Sequence, residues 1–200
     1  MSIIKYLTVI FLTTFFLTQK ALSEEVKKVG KFKDWETIVV KSEGELLCFA
    51  QTKPVLQSPK NNPREARLFV SFRPNEKILD EISITPGYEF NKKNSIIAKS
   101  GKNKYKFDIS QDSFAWIADN KQEKKMIRTM KKGSRIMITG YNQKGSQTID
   151  HYSLLGFSKA YGAAKKKLQL VINEIKKENC ISLFRWSRYI SNFKMASRKL

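Results

Sequence analysis

Residues 66–90 contain two runs of alternating apolar and polar side chains separated by a turn, and this pattern constrains the fold more than any other stretch. Every second residue of 68–72 is a large apolar one, and residues 81–85 repeat the alternation. Such alternation is typical of half-buried strands, and Pro74-Asn75 between the runs favours a turn. The stretch therefore predicts an antiparallel hairpin. It carries no nucleophile beside a base and no glycine loop for phosphate.

Similar alternation elsewhere predicts further strands, and helical spacing of apolar residues predicts two helices. The other predicted strands cover residues 35–40, 45–51, 95–99, 104–109, 113–117, 135–141 and 146–154. A short helix is predicted between the capping residue Asp119 and Gly133, and a long helix from Phe157 to about Cys180. The expected fold class is mainly β with two helices. It is an antiparallel β-sandwich or a partly closed barrel, with the short helix packed on the sheet and the long helix at the C-terminus.

Two stretches are expected to lack regular structure. Residues 24–33 are highly charged and predict a flexible lead-in to the first strand. Residues 52–64 include Pro54, Pro59 and Pro63, so we expect a long loop there.

The N-terminal 23 residues are typical of a secretory signal peptide. Lys5 precedes an uncharged, largely apolar run at residues 6–19, and Ala21-Leu22-Ser23 supplies the small residues of a cleavage site. A retained membrane anchor is the alternative, but the run is shorter than the roughly 20 residues that span a bilayer. We therefore expect a periplasmic or secreted protein with a signal peptide at residues 1–23, one β-rich domain at 24–180 and an extension at 181–200.

Export changes the meaning of the net charge of +20. A cytosolic chain with this charge would suggest nucleic acid as a partner. An exported chain meets lipid headgroups, cell-wall polymers and other proteins first, so nucleic acid is not expected. The predicted partner is an envelope protein or an anionic membrane or cell-wall surface. The alternative is that the lysines are dispersed over a solvated surface without a partner.

The chain has two cysteines, Cys48 and Cys180. In an oxidising compartment an even number of cysteines suggests a disulfide, and two cysteines allow one pairing within a chain. Two unpaired thiols, or pairing between chains, are the alternatives.

The extension at residues 181–200 contains no acidic residue. On a helix its large apolar residues would share a stripe with basic residues mostly beside it, as in a helix that lies on a membrane surface. An unstructured tail is the alternative interpretation. The candidate surface-binding residues are Arg185, Trp186, Arg188, Tyr189 and Phe193.

No pattern in the sequence indicates catalysis, a metal or a cofactor. His151, the only histidine, adjoins Asp150, but neighbouring strand residues face opposite sides and do not form a catalytic pair. The same geometry argues against Asp80 and Glu81 as paired acid and base. One histidine and two distant cysteines do not supply a zinc site. The aromatic residues Trp35, Tyr88, Phe90 and Trp116 are expected in the core, with a carbohydrate or peptide surface as the alternative.

Several short segments in this order and spacing together resemble the invasion-associated locus B family of alphaproteobacterial envelope proteins. The segments are KFKDW from Lys31, LCFAQ from Leu47, FRP from Phe72, EISITPGY from Glu81, the strand with Trp116, MKKG from Met130 and YSLLGFSKAY from Tyr152. Members usually have glycine where this chain has Lys33. The resemblance, which covers about residues 31–168, implies a small secreted or periplasmic β-rich domain without an assigned catalytic activity.

The function expected from the sequence is that of a non-catalytic exported envelope protein that binds a macromolecular partner or an anionic surface. The alternatives are a periplasmic hydrolase with an unrecognised site and a structural or chaperone-like periplasmic protein.

Overall fold

The computed structural model describes residues 24–42 and 45–173, which form twelve strands and two helices. The strands are β1 (Glu25–Phe32), β2 (Trp35–Ser42), β3 (Glu45–Thr52), β4 (Leu56–Ser58), β5 (Arg67–Arg73), β6 (Ile78–Thr85), β7 (Ile96–Ser100), β8 (Asn103–Phe107), β9 (Ile109–Gln111), β10 (Phe114–Trp116), β11 (Arg135–Tyr141) and β12 (Gln147–Ser153). Helix α1 is Asn120–Lys132, and helix α2 begins at residue 157 and continues to the end of the described range.

The strands form two antiparallel sheets that pack as a sandwich. One sheet has seven strands in the order β1-β2-β3-β5-β6-β10-β9, and the other has five in the order β4-β12-β11-β7-β8. The prediction of a mainly β fold with two helices is confirmed, and the architecture is a sandwich rather than a closed barrel.

The hairpin predicted from residues 66–90 lies in the middle of the larger sheet. Its strands β5 and β6 pair in register, with Leu68 opposite Ile84 and Val70 opposite Ile82, and all four side chains are buried. Side chains on the facing strands of the smaller sheet, such as Ile136, belong to the same core. The period-two pattern therefore identified the core-facing side of the central strands.

Helix α1 forms where its capping residues and its apolar stripe agree. Asp119 accepts a hydrogen bond from the Lys121 amide at 2.8 Å, which satisfies one free amide of the first turn. Met126, Ile127 and Met130 fall on one side and are buried, and they contact the body of the sandwich next to β6 and β8. The predicted short helix on the sheet is confirmed.

Helix α2 covers the part of the larger sheet's inner face that lies near β2 and β3. The Trp35 and Phe157 rings lie 4.8 Å apart, and the Thr37 hydroxyl donates to the Ala160 carbonyl at 2.8 Å. Gly156, just before the helix, has φ +93°, and a Cβ there would lie 1.8 Å from the Phe32 carbonyl oxygen. Only glycine permits this approach between the start of α2 and the β1–β2 turn.

The expectation for residues 24–33 was wrong, because residues 25–32 form β1, which pairs along its length with β2. Six of its eight side chains are exposed, so an edge strand of this kind shows no apolar periodicity. Members of the family that the sequence resembles usually have glycine where this chain has Lys33. The turn that follows β1 is nevertheless tight, because Lys33 adopts φ +55°. The charged composition of this segment gave no indication that its backbone pairs with β2.

The expectation of no regular structure in residues 52–64 was also wrong in part. Leu56–Ser58 forms β4, which pairs with β12 at the edge of the smaller sheet. A three-residue strand is defined by its partner's backbone and not by its own sequence pattern.

Candidate functional site

Several predicted functional residues lie outside the part of the chain that the structure describes. These are the signal peptide at residues 1–23, Cys180, and the five candidate binding residues Arg185, Trp186, Arg188, Tyr189 and Phe193. Their predicted roles therefore stay predictions.

Cys48 has no disulfide partner among the described residues, and its side chain has no exposed surface. Burial raises the pKa of this thiol to about 11, against a smaller opposing effect of Lys167. A thiol with so high a pKa is a weak nucleophile at neutral pH. Because the predicted partner Cys180 lies outside the described residues, the disulfide stays a prediction.

Asp150 and His151 occupy opposite sides of β12, as predicted for strand neighbours. Asp150 is buried and His151 is half-buried. The partner of Asp150 is Arg64, whose Nη2 lies 2.5 Å from Asp150 Oδ1. Asp150 therefore holds the loop before β5 against β12, a role the sequence analysis did not identify.

The four aromatic residues considered for a binding surface divide into two groups. Trp35 and Phe90 are buried in the core, and Tyr88 and Trp116 are half-buried. Trp116 lies on the outer face of the larger sheet, together with three phenylalanines that the sequence analysis did not select. Neighbouring ring centroids are 5.9, 6.2 and 5.9 Å apart along this aromatic stripe, which consists of Phe49, Phe69, Phe114 and Trp116.

Helix α1 presents a surface that is entirely basic. Its only acidic residue, Glu123, is buried. Its exposed charged residues, called here the basic face, are Lys121, Lys124, Lys125, Arg128, Lys131 and Lys132. Within the described residues, none of these six side chains forms an ion pair. The Lys131 ammonium lies 3.9 Å from the centroid of the Tyr161 ring on α2, which links the basic face to that helix.

The basic face is unfavourable for the helix that carries it. Lys121 and Lys125, Lys124 and Arg128, and Arg128 and Lys132 are each four residues apart, and like charges at this spacing destabilise a helix by about 0.2–0.5 kcal/mol per pair. Lys121 also lies in the first turn, where the helix dipole disfavours a positive charge. Lys131 and Lys132 lie in the last turn, where the helix dipole favours a positive charge. The like-charge pairs have no such explanation in folding, whereas binding of an anionic partner would offset their cost.

A cavity of about 700 Å³ lies between β6, the β9–β10 hairpin and the start of α1. Its wall includes Trp116 and Ile109, and its polar lining includes Glu123. Strand β10 ends opposite Ser83, and the next amide of β6, that of Ile82, donates to Glu123 Oε1 at 2.9 Å. The Glu123 carboxyl thus takes the place of a strand carbonyl at this point of the sheet.

Burial is the main reason that the pKa of Glu123 rises to about 7. The Ile82 amide opposes this shift, and the nearby carboxylates of Glu81, Asp80 and Asp119 add to it. Glu123 was missed because acidic residues on helices are usually exposed. Its spacing was a usable signal, since it precedes Met126 by three residues and Ile127 by four and so lies on the apolar stripe.

Asp80 and Glu81 do not act as a free pair of carboxylates. Arg73 holds Glu81 through two hydrogen bonds of 2.8 and 3.0 Å, and the Tyr161 hydroxyl donates to Asp80. Within residues 24–42 and 45–173, no group of three His, Cys, Asp or Glu side chains is placed to hold a metal ion.

Comparison with models of known protein families shows the family of this chain. The model of the invasion-associated locus B (IalB) protein family matches residues 35–165. The chain belongs to the IalB family. The match covers both sheets except β1, and it includes all of α1 and therefore the basic face. No curated protein and no solved structure matches this IalB chain.

Among the described helices, neither combines the length and the apolar character that a membrane-spanning helix requires.

Proposed function

We propose that this IalB protein is a non-catalytic, exported envelope protein that binds an anionic membrane surface through the basic face of α1. The observation that carries the proposal is the separation of charge on this helix: six exposed residues are basic and the single acidic residue is buried. Membrane surfaces rich in anionic lipids attract such clusters with about 1 kcal/mol per Lys or Arg near the surface.

The arrangement of α1 supports binding without insertion. Its apolar residues Met126, Ile127 and Met130 are buried in the protein's own core, so they are not available to enter the lipid. The attraction would therefore be electrostatic, and it would weaken as salt screens the charges. This distinguishes the basic face from an amphipathic helix that lies in the interface with its apolar side in the lipid.

The test is binding to vesicles of phosphatidylglycerol mixed with phosphatidylcholine, compared with vesicles of phosphatidylcholine only. The variant Lys125→Gln/Arg128→Gln/Lys132→Gln removes three charges from one side of α1, and glutamine keeps the helix propensity. Loss of about 3 kcal/mol predicts roughly 100-fold weaker binding to the anionic vesicles.

The matched control is Lys27→Gln/Lys31→Gln/Lys41→Gln, which removes the same charge from exposed positions on β1 and β2. These strands lie at one edge of the larger sheet, away from β6, the strand that α1 contacts. The control should bind within about threefold of the parent, because salt largely screens charges that lie far from the bound surface. Equal loss in both variants would show that net charge, and not the basic face, attracts the membrane. Binding to isolated cell-wall polymer but not to vesicles would replace lipid with that polymer as the partner.

A second candidate function is binding of an envelope protein on the aromatic stripe. The supporting observation is that Phe114, with 37% of its surface exposed, stacks on Trp116 at an interplanar angle of 24°. Cross-linking in intact envelopes with Phe114→Ser tests it. Loss of a cross-linked protein in this variant, with vesicle binding unchanged, would favour the second candidate over the first.

A further inference from the structure

The cavity beside α1 brings carboxylates together in a chain that is strongly basic, with Asp80, Glu81 and Glu123 in a lining that also holds Arg73, Lys77 and Lys124. The chain carries a net charge of +20, yet the charged groups that influence Glu123 are carboxylates: Glu81, Asp80 and Asp119. These carboxylates favour a cation beside Glu123, although the surface of α1 one turn away is basic.

Glu123 has a free hydrogen-bonding position on the cavity side. It is 5% exposed and lines the cavity, and its Oε1 accepts the Ile82 amide. Among the described residues, no donor binds Oε2, the second oxygen of this carboxyl. Because Glu123 lines the cavity, a ligand bound there can donate a charge-assisted hydrogen bond to this oxygen.

The other charged groups around the cavity do not supply this donor. Arg73 on β5 is engaged by Glu81 and Glu76, and Tyr161 on α2 donates to Asp80. Lys77 and Lys124 lie at the rim of the cavity, and neither forms an ion pair within the described part of the chain.

We propose that this cavity binds an organic ammonium group, which donates to Glu123 Oε2 while its alkyl chain lies against Trp116 and Ile109. One free carboxylate oxygen suits a compact ammonium, whereas a guanidinium prefers two parallel acceptors. The Trp116 ring adds a surface that attracts cations. A cavity of about 700 Å³ admits an aliphatic chain of the length found in a diamine or a lysine side chain. The site adjoins the basic face at Lys124, but it would take a cation, whereas the basic face points to an anionic partner.

Protonation of Glu123 competes with the ammonium, and this gives the site a measurable signature. With a Glu123 pKa of about 7, about a tenth of the protein has an ionised carboxyl at pH 6 and about nine tenths at pH 8, while the amine stays charged at both. Binding should be about 10-fold tighter at pH 8. At pH 6 it should release nearly one proton per site.

The experiment is an NMR and calorimetric titration of the full mature chain with putrescine and, separately, with the peptide Gly-Lys-Gly. The Trp116 indole resonance reports occupancy. Glu123→Gln keeps the acceptor for Ile82 and should weaken binding at least 10-fold at pH 8. The matched control Glu25→Gln removes one carboxylate from β1 and should bind within about twofold of the parent.

The two ligands identify the source of the ammonium. Saturable binding of putrescine supports a free amine, and tighter binding of the peptide supports a lysine of a partner protein. Binding by neither ligand overturns the proposal, as does equal affinity of Glu123→Gln and the parent. If Glu123→Gln fails to fold, the number of protons that the parent chain releases on ligand binding tests the proposal instead. Release that does not depend on pH between 6 and 8 overturns the site.

Discussion

The loop before β5 is fastened by a buried ion pair whose removal should be the most informative single change in this protein. Arg64 Nη2 lies 2.5 Å from Asp150 Oδ1, and each side chain is 5% exposed. Gln57 donates to the same oxygen at 3.2 Å and accepts the Arg64 amide at 3.0 Å. The loop and β12, 86 residues apart in sequence, therefore share one polar cluster.

Replacement of Arg64 by methionine preserves most of the side-chain volume and removes the charge. Asp150 then stays buried with Gln57 as its remaining side-chain donor, and loss of one partner of a buried pair costs about 3–5 kcal/mol. The double variant Arg64→Met/Asp150→Leu has no buried charge to leave unpaired, so it should recover to within about 1–2 kcal/mol of the parent. The two changes should thus be strongly non-additive.

The stability of Arg64→Met should depend on pH in a direction that follows from the pKa of Asp150. Burial already raises the pKa of Asp150, against the opposing effects of Arg64 and Gln57. Without Arg64 that pKa rises further. A carboxyl with a raised folded-state pKa loses its favourable contribution as pH increases through that pKa, so Arg64→Met should be least destabilised in acid and most destabilised at neutral pH.

Urea unfolding followed by tryptophan fluorescence measures these effects at acid and neutral pH, with Lys53→Met as the control. Lys53 lies between β3 and β4 and pairs at the surface with Glu65 of the loop before β5, where loss of a pair costs at most about 1 kcal/mol. An Arg64→Met cost of less than about 1 kcal/mol at neutral pH, or a double variant as unstable as the single one, would show that this ion pair does not fasten the loop.

Three further predictions concern other buried groups. The folded-state pKa of Glu123 is about 7, against 4.5 for a free side chain. The contribution of this carboxyl to stability is therefore complete below about pH 4.5 and is lost as pH rises through 7. In urea unfolding, Glu123→Gln should gain up to about 3 kcal/mol over the parent between pH 5 and 8. Gly156→Ala should cost about 3 kcal/mol or more by thermal unfolding, through its clash with Phe32, whereas Gly162→Ala, in open space on α2, should stabilise by up to about 1 kcal/mol. After full reduction, Cys48 should react with iodoacetamide at neutral pH only as fast as the chain unfolds, and rapid labelling of the folded protein would contradict its burial.

The strands with one buried face were predictable, because alternation reports burial directly. Arg135–Tyr141 and Gln147–Ser153 pair almost as their sequence pattern implies. The edge strand Glu25–Phe32 was not predictable in this way, since its stability comes from backbone pairing with β2 while most of its side chains face solvent. Periodicity identifies which strands bury a face but not which strands pair.

The candidate sites depended on contacts between distant residues and were mostly missed. The buried pair of Arg64 and Asp150 joins a proline-rich loop to β12, and no sequence pattern indicates that these two residues are partners. The aromatic stripe arises from β3, β5 and β10, so its rings meet only once the strand order is known. The basic face could have been read from residues 120–132, where Glu123 is the only acidic residue among six basic ones. The sequence analysis attributed the surface charge to dispersed lysines or to the C-terminal extension instead.

Helix α1 is proposed to be the part of this IalB protein that meets an anionic membrane. The most direct test is an amide NMR spectrum of the protein bound to phosphatidylglycerol vesicles that carry a paramagnetic headgroup lipid. If α1 meets the membrane, line broadening should be greatest along Asn120–Lys132, weak along Glu25–Phe32, and absent at high salt. Broadening that is strongest on β1, or uniform over both sheets, would contradict the claim.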